Sequence, residues 1–107
     1  MPLIDHNSVA PVEMFSGVVR RTLTNGDRLM LIEVTLEEGA VVPMHTHPHE
    51  QTGYLISGRF LFELGDEKRE LGPGDSWLVP SNVPHQVTAL TPCLLVDVFS
   101  PPREEYR

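Results

Sequence analysis

The chain has 107 residues and a mass of 12.0 kDa, enough for one hydrophobic core and too little for two. Hydrophobic residues make up 40% of it, which excludes a disordered chain. Eight Lys and Arg against 15 Asp and Glu give a net charge of −7 and a pI of about 5.0, which argues against nucleic-acid and anionic-membrane partners.

Residues 1–11 carry Asp5 and two prolines and lack the apolar stretch of a signal peptide. Pro2 and Pro11 also oppose a long helix over residues 1–15. No run approaches the roughly 18 apolar residues of a membrane span, so a cytoplasmic protein is the expectation. Residues 29–36 are rich in branched side chains and follow a turn at Asn25, Gly26 and Asp27, which predicts a strand. Residues 60–64 and 67–71 read as a hairpin, because Gly65 and Asp66 between them tolerate positive φ. Pro73, Gly74 and Asp75 form another turn, and a strand over 76–79 follows. After a loop from Pro80 to Pro84, residues 85–89 and 94–99 read as the last two strands. Short strands with frequent turns predict an all-β antiparallel sandwich or barrel over 1–107. The end strands show no obvious protecting charge, so edge pairing into a homodimer is expected. Cys93 is the lone cysteine and has no disulfide partner.

The chemistry is concentrated between the predicted strands. Three of the five histidines, His45, His47 and His49, fall within five residues. His45 and His47 are two apart, so on an extended backbone both point to one face. Gln51 keeps that parity if the segment stays extended, whereas Glu50 points the other way. His85 opens a later strand after a turn-rich approach. Three imidazoles and an amide oxygen, His45, His47, His85 and Gln51, would together bind a divalent metal such as Zn, Ni, Mn or Fe. His49 reads as a solvated loop residue and His6 is left over, while Trp77 reads as packing, Tyr54 as outward-facing and Arg59 as a solvated strand end. Met44, beside His45, is placed to touch the pocket.

The glycines frame this cluster in a familiar way. Gly39, His45, His47, Gln51 and Gly58 resemble the first cupin motif, over about 39–58. Gly74, Pro80 and His85 resemble the second, over about 74–89. The resemblance implies a jelly-roll barrel, the cupin double-stranded β-helix, with a metal at its centre. Gln51 stands where that motif usually has glutamate, and Asn82 and Ala89 where the second usually has Gly and Asn. A site without an anionic ligand favours Lewis-acid work over two-histidine, one-carboxylate iron chemistry.

On the last predicted strand Leu95, Asp97 and Phe99 share one face. A carboxylate among apolar neighbours is costly unless partnered, and burial would raise its pKa toward neutrality. That reads either as a structural Asp or as a general acid or base. Pro101 and Pro102 stiffen the path to Arg103, which could reach over the barrel mouth and clamp a carboxylate. The run His45-Thr46-His47-Pro48-His49-Glu50-Gln51, the turn at 73–75, and the ending Asp97-Val98-Phe99-Ser100-Pro101-Pro102-Arg103-Glu104 together resemble the pectin-degradation cupins of the KdgF type. The resemblance implies metal-dependent ring opening of 4,5-unsaturated uronates from pectin or alginate to linear keto-acids. It implies His45, His47, Gln51 and His85 as metal ligands, with Asp97, Phe99 and Arg103 completing the site. The substrate would be an anionic sugar acid. Two alternatives are a metal-dependent dioxygenase on the same barrel and a non-enzymatic sugar-binding cupin.

Overall fold

The structure, a computed structural model, describes residues 2–107; Met1, the first residue of the opening segment, lies outside them. Ten strands follow one another: β1 (Val12–Phe15), β2 (Val18–Asn25), β3 (Met30–Leu36), β4 (Val41–His45), β5 (Glu50–Ser57), β6 (Phe60–Leu64), β7 (Glu67–Leu71), β8 (Ser76–Val79), β9 (His85–Ala89) and β10 (Cys93–Ser100). Single 3-10 turns at His6–Ser8 and Glu104–Tyr106 are the only helical turns among the described residues. The opening segment therefore holds one such turn and then strand β1.

The strands form two antiparallel sheets. One runs β1-β2-β3-β10-β5-β8, and the other runs β4-β9-β6-β7. The hairpin β6–β7 turns at Gly65 with φ +57, as its sequence predicts. Side-chain alternation sends Met30, Ile32, Val34 and Leu36 of β3 inward, and Cys93, Leu95, Asp97 and Phe99 of β10. These meet Phe60 and Phe62 of β6 and Val87 of β9 from the opposite sheet. Burying an aromatic such as Phe60 or Phe99 stabilises the fold by roughly 1.5–3 kcal/mol each. The edge strand β7 carries Glu67, Lys68, Arg69 and Glu70, all exposed, so this edge has a protecting charge that the expectation of unprotected end strands leaves out.

Two register rows set up the interior at one end. Phe99 lies opposite Gln51, and Gln51 opposite Val79. One pair of residues deeper, Asp97 lies opposite Gly53, and Gly53 opposite Trp77. β10 is central in its sheet, paired with β3 on one side and β5 on the other.

Candidate metal centre

The histidines converge by a route other than strand alternation. His45 ends β4 and lies opposite His85, the first residue of β9, past an irregularity in the β4–β9 register. The chain leaves the sheet at Thr46, and it bends at Pro48 and His49 before β5 begins. His47 thus sits in a connection, and Gln51 reaches the interior through the alternation of β5, which buries Gln51, Gly53 and Leu55. The His47 carbonyl accepts the Asn82 N–H at 2.8 Å, which ties this connection to the loop before His85. Asn82 has φ +66, a left-handed conformation that asparagine tolerates.

The donor atoms of His45, His47 and His85 all lie within 4.8 Å of one another. In each ring Nδ1 is bonded to a backbone carbonyl two residues away: Pro43 at 2.8 Å, His49 at 3.0 Å and Val83 at 2.9 Å. A carbonyl only accepts, so Nδ1 carries the proton, and in each neutral ring Nε2 keeps its lone pair. Burial holds His47 below the ordinary imidazole range, and the nearby Arg103 charge adds to the effect. Burial pushes His85 down to about 4. The His85 Nε2 atom is buried without a hydrogen-bond partner.

Gln51 completes the set. Its Oε1 lies 3.1 Å from His47 Nε2, and its amide N–H is the group able to donate to Asp97. Two acceptors, Oε1 and an unprotonated Nε2, therefore face each other with no hydrogen between them. A cation relieves that opposition and satisfies the orphaned His85 nitrogen as well. The donor set of three imidazoles and a carboxamide oxygen thus fits a divalent metal. Glu50 is exposed, as its parity requires. His49 lies outside the triad; its ring packs edge-on against His47 with centroids 5.6 Å apart.

Asp97 is only 7% exposed, and Trp77 Nε1–H donates to its Oδ1 at 2.9 Å. Burial pushes its pKa up to about 6, against hydrogen bonds from Gln51 and Trp77 and the charge of Arg103 that pull it down. The bond to Trp77 requires Gly53. A Cβ on Gly53 would fall inside contact distance of both the indole ring and Asp97 Oδ1. The sequence pattern alone reads Trp77 as packing; its partner lies 20 residues away, and only the register row brings them together.

Arg103 is buried and returns over the interior, where its guanidinium lies 5.4 Å from the Phe99 ring centroid and 4.3 Å from that of Tyr106. Its Nη1–H donates to the Tyr106 hydroxyl at 3.0 Å, and its Nε–H to Glu105 at 2.9 Å. Neither partner stands out in the sequence. Phe99 packs edge-on against His47 at 5.6 Å. His45, Gln51, His85, Asp97, Phe99 and Arg103 line one cavity of about 50 Å³. A cleft of about 570 Å³ lies beyond it, and Met14, Val42, His45, Arg103 and Tyr106 form a wall common to both. Met44 lines that cleft and is about half exposed. Tyr54 faces out, and Arg59 pairs with Glu70 at 2.7 Å on the surface.

A family profile described as a cupin domain matches residues 32–99. The pectin degradation protein KdgF of Dickeya dadantii is 34% identical over 96 residues, which span 88% of this chain and 87% of that one. KdgF from Halomonas sp. superposes with a TM-score of 0.92 at 34% identity, over 98% of this chain and 99% of the other. A RmlC-like cupin from Shewanella frigidimarina gives 0.91 at 29% identity over 100% of both. The two antiparallel sheets are thus the cupin jelly roll, and the chain belongs to the cupin family, among its KdgF-type members.

Proposed function

We propose that this chain is a metal-dependent enzyme that opens the ring of 4,5-unsaturated uronates, released from pectin or alginate, to give linear keto-acids. In this reading His45, His47, Gln51 and His85 hold the ion (zinc, nickel, manganese or iron), and Asp97, Phe99 and Arg103 act on the substrate. One observation carries it: a buried carboxyl shares one cavity with His45 and His85, two of three converging imidazoles, and Gln51 links it to the third, His47. Likeness to two KdgF proteins over most of each chain supports it.

The reaction is an isomerisation. The anomeric hydroxyl loses a proton and becomes the aldehyde oxygen as the bond from the anomeric carbon to the ring oxygen breaks. The electrons of that bond pass to the ring oxygen as an enolate, and C4 takes up a proton to leave a ketone at C5. One proton leaves oxygen and one arrives on carbon, so one group acting as base and then acid suffices. Asp97, held at about 6, has both forms available near neutral pH. It takes the hydroxyl proton and returns it to C4. Trp77 donates to Oδ1 and so fixes the orientation of the carboxyl that carries the proton. Arg103 binds the substrate carboxylate, and Phe99 supplies an apolar wall beside the sugar. A bound divalent ion supplies Lewis-acid polarisation of substrate oxygens.

The enzyme works as one domain over 1–107, as a homodimer, in the cytoplasm. Tyr54, Ile56 and Leu78 are exposed on neighbouring strands β5 and β8, which supports pairing of two copies through the outer face of the larger sheet. No helix among the described residues is long and apolar enough to cross a membrane.

The test follows the ultraviolet absorbance of the conjugated double bond in a 4,5-unsaturated monouronate. Metal-loaded protein should consume it well above the spontaneous rate, and chelated protein should not. No acceleration, with metal confirmed in the protein, would overturn the reading.

A further inference from the structure

The protein carries a net charge of −7, yet its proposed substrate is an anion. Long-range electrostatics oppose the encounter, so attraction must be local. The cleft outside the cavity holds two guanidiniums, Arg20 and Arg103, and one carboxylate, Glu105. Arg103 is already engaged by Glu105 and by the Tyr106 hydroxyl. Arg20 differs. It is half-buried on β2, and it has no carboxylate within ion-pair distance among the described residues. Its Nε is buried without a hydrogen-bond partner. Its Nη1–H reaches only the Met14 thioether at 3.7 Å, a weak acceptor. Its guanidinium lies 4.4 Å from the centroid of the Tyr106 ring, the ring that Arg103 also stacks on. Two like charges on one ring repel, and Glu105 neutralises only one of them. The cleft is therefore left with one uncompensated cation, fixed in place by an aromatic platform and aimed into a volume of about 570 Å³.

We infer that Arg20 is a specificity-determining residue that captures the substrate carboxylate in the mouth cleft and so selects free sugar acids over neutral esters. The inference rests on the uronate reading above. It also assigns the two arginines different tasks: Arg20 receives the carboxylate from solvent, and Arg103 takes it further in by exchanging Glu105 for it.

The test uses the metal-loaded full chain and two unreactive probes, galacturonate and its methyl ester, with binding followed by calorimetry. Turnover of the unsaturated monouronate is measured beside it. Arg20→Met should weaken galacturonate binding by about tenfold, the loss expected for a charge-assisted hydrogen bond, and leave the ester unchanged. KM for turnover should rise in parallel with little change in kcat. Arg20→Lys should retain most of the preference for acid over ester. Arg28→Met removes the same charge from an exposed turn and should behave as wild type. Arg20→Gln repeats the test should Arg20→Met fail to fold. Equal weakening of acid and ester would mean that Arg20 only braces Tyr106, and would overturn the inference. An unchanged ratio, or a wild-type protein that binds neither probe, would overturn it too. If wild type opens no unsaturated uronate but Arg20→Met still loses the preference for acid, Arg20 stands and the proposed activity falls. If turnover is normal and Arg20→Met keeps the preference for acid, the activity stands and the role of Arg20 falls.

Discussion

Asp97→Asn keeps the shape of the side chain and an oxygen able to accept from Trp77, while it removes the ionisable proton. Burial raises the folded-state pKa to about 6 from an ordinary 3.8, and this gap corresponds to about 3 kcal/mol. The sign follows from proton counting. Below about pH 3.8 the carboxyl is neutral in both folded and unfolded chains, so it costs nothing. Between the two values the unfolded chain ionises and the folded one does not, and stability falls as pH rises. Above about pH 6 the folded carboxylate is charged as well, and the penalty is complete. Asp97→Asn escapes this penalty. In chelated protein its stability relative to wild type should be near zero at pH 3.5 and climb to as much as about 3 kcal/mol by pH 7.5. Urea unfolding at several pH values reads this directly; the gain at pH 7.5 equals a midpoint shift of about 1–3 M. His47 and His85, held low by burial, destabilise the fold as pH falls, but they do so in both proteins and cancel in the difference. Parallel curves at all pH values would refute the raised pKa. A variant that loses ground as pH rises would mean that the carboxylate is stabilised in the fold. The same substitution should abolish ring opening in metal-loaded protein, so stability and activity move in opposite directions.

Other substitutions probe the supports. Gly53→Ala forces a methyl group into the contact between Trp77 and Asp97; it should cost about 3 kcal/mol in urea unfolding and change the fluorescence of Trp77, the sole tryptophan. Trp77→Phe leaves Asp97 Oδ1 without its donor, and should cost about 1–3 kcal/mol at pH 7.5 but clearly less at pH 3.5, where the carboxyl is neutral; equal losses at both would assign the effect to packing alone. Wild-type protein should take up one divalent ion per chain and gain about 3 kcal/mol at a free concentration near one hundred times Kd, whereas His85→Ala should gain almost nothing when titrated with the same ion.

The strands that present plain alternation or turn chemistry are legible in the sequence: β3, the β6–β7 hairpin, β8, β9 and β10 all lie within a residue or two of their predicted bounds. β2 is not, because Arg20 and Arg21 interrupt its apolar pattern, and six of its eight residues are only partly buried. β4 contains Pro43, which an edge strand accepts but which breaks the pattern of a strand in sequence. In the site, local spacing brings out His45, His47 and Gln51, although a bend rather than an unbroken strand unites them. The inward parity of Asp97 is legible from its apolar neighbours. Trp77, Gly53, Tyr106 and Glu105 are not, because each acts through a partner fixed by sheet register or by the return of the tail.

The placement of the site across the two sheets has a dynamic consequence. Asp97 and Phe99 ride on β10, flanked by paired strands on both sides, where backbone amides open only with global unfolding. His45 closes an edge strand, and His47 and the approach to His85 lie in loops. The ligand side therefore belongs to the part of the molecule that frays first, and the acid side to the part that frays last. In the proposed metal site Gln51, on β5 beside β10, joins the three histidines of that rim, so an ion there would fasten the fraying part to a strand of the rigid middle, and chelation should speed amide exchange along β4 and the 46–49 connection while leaving β10 slow.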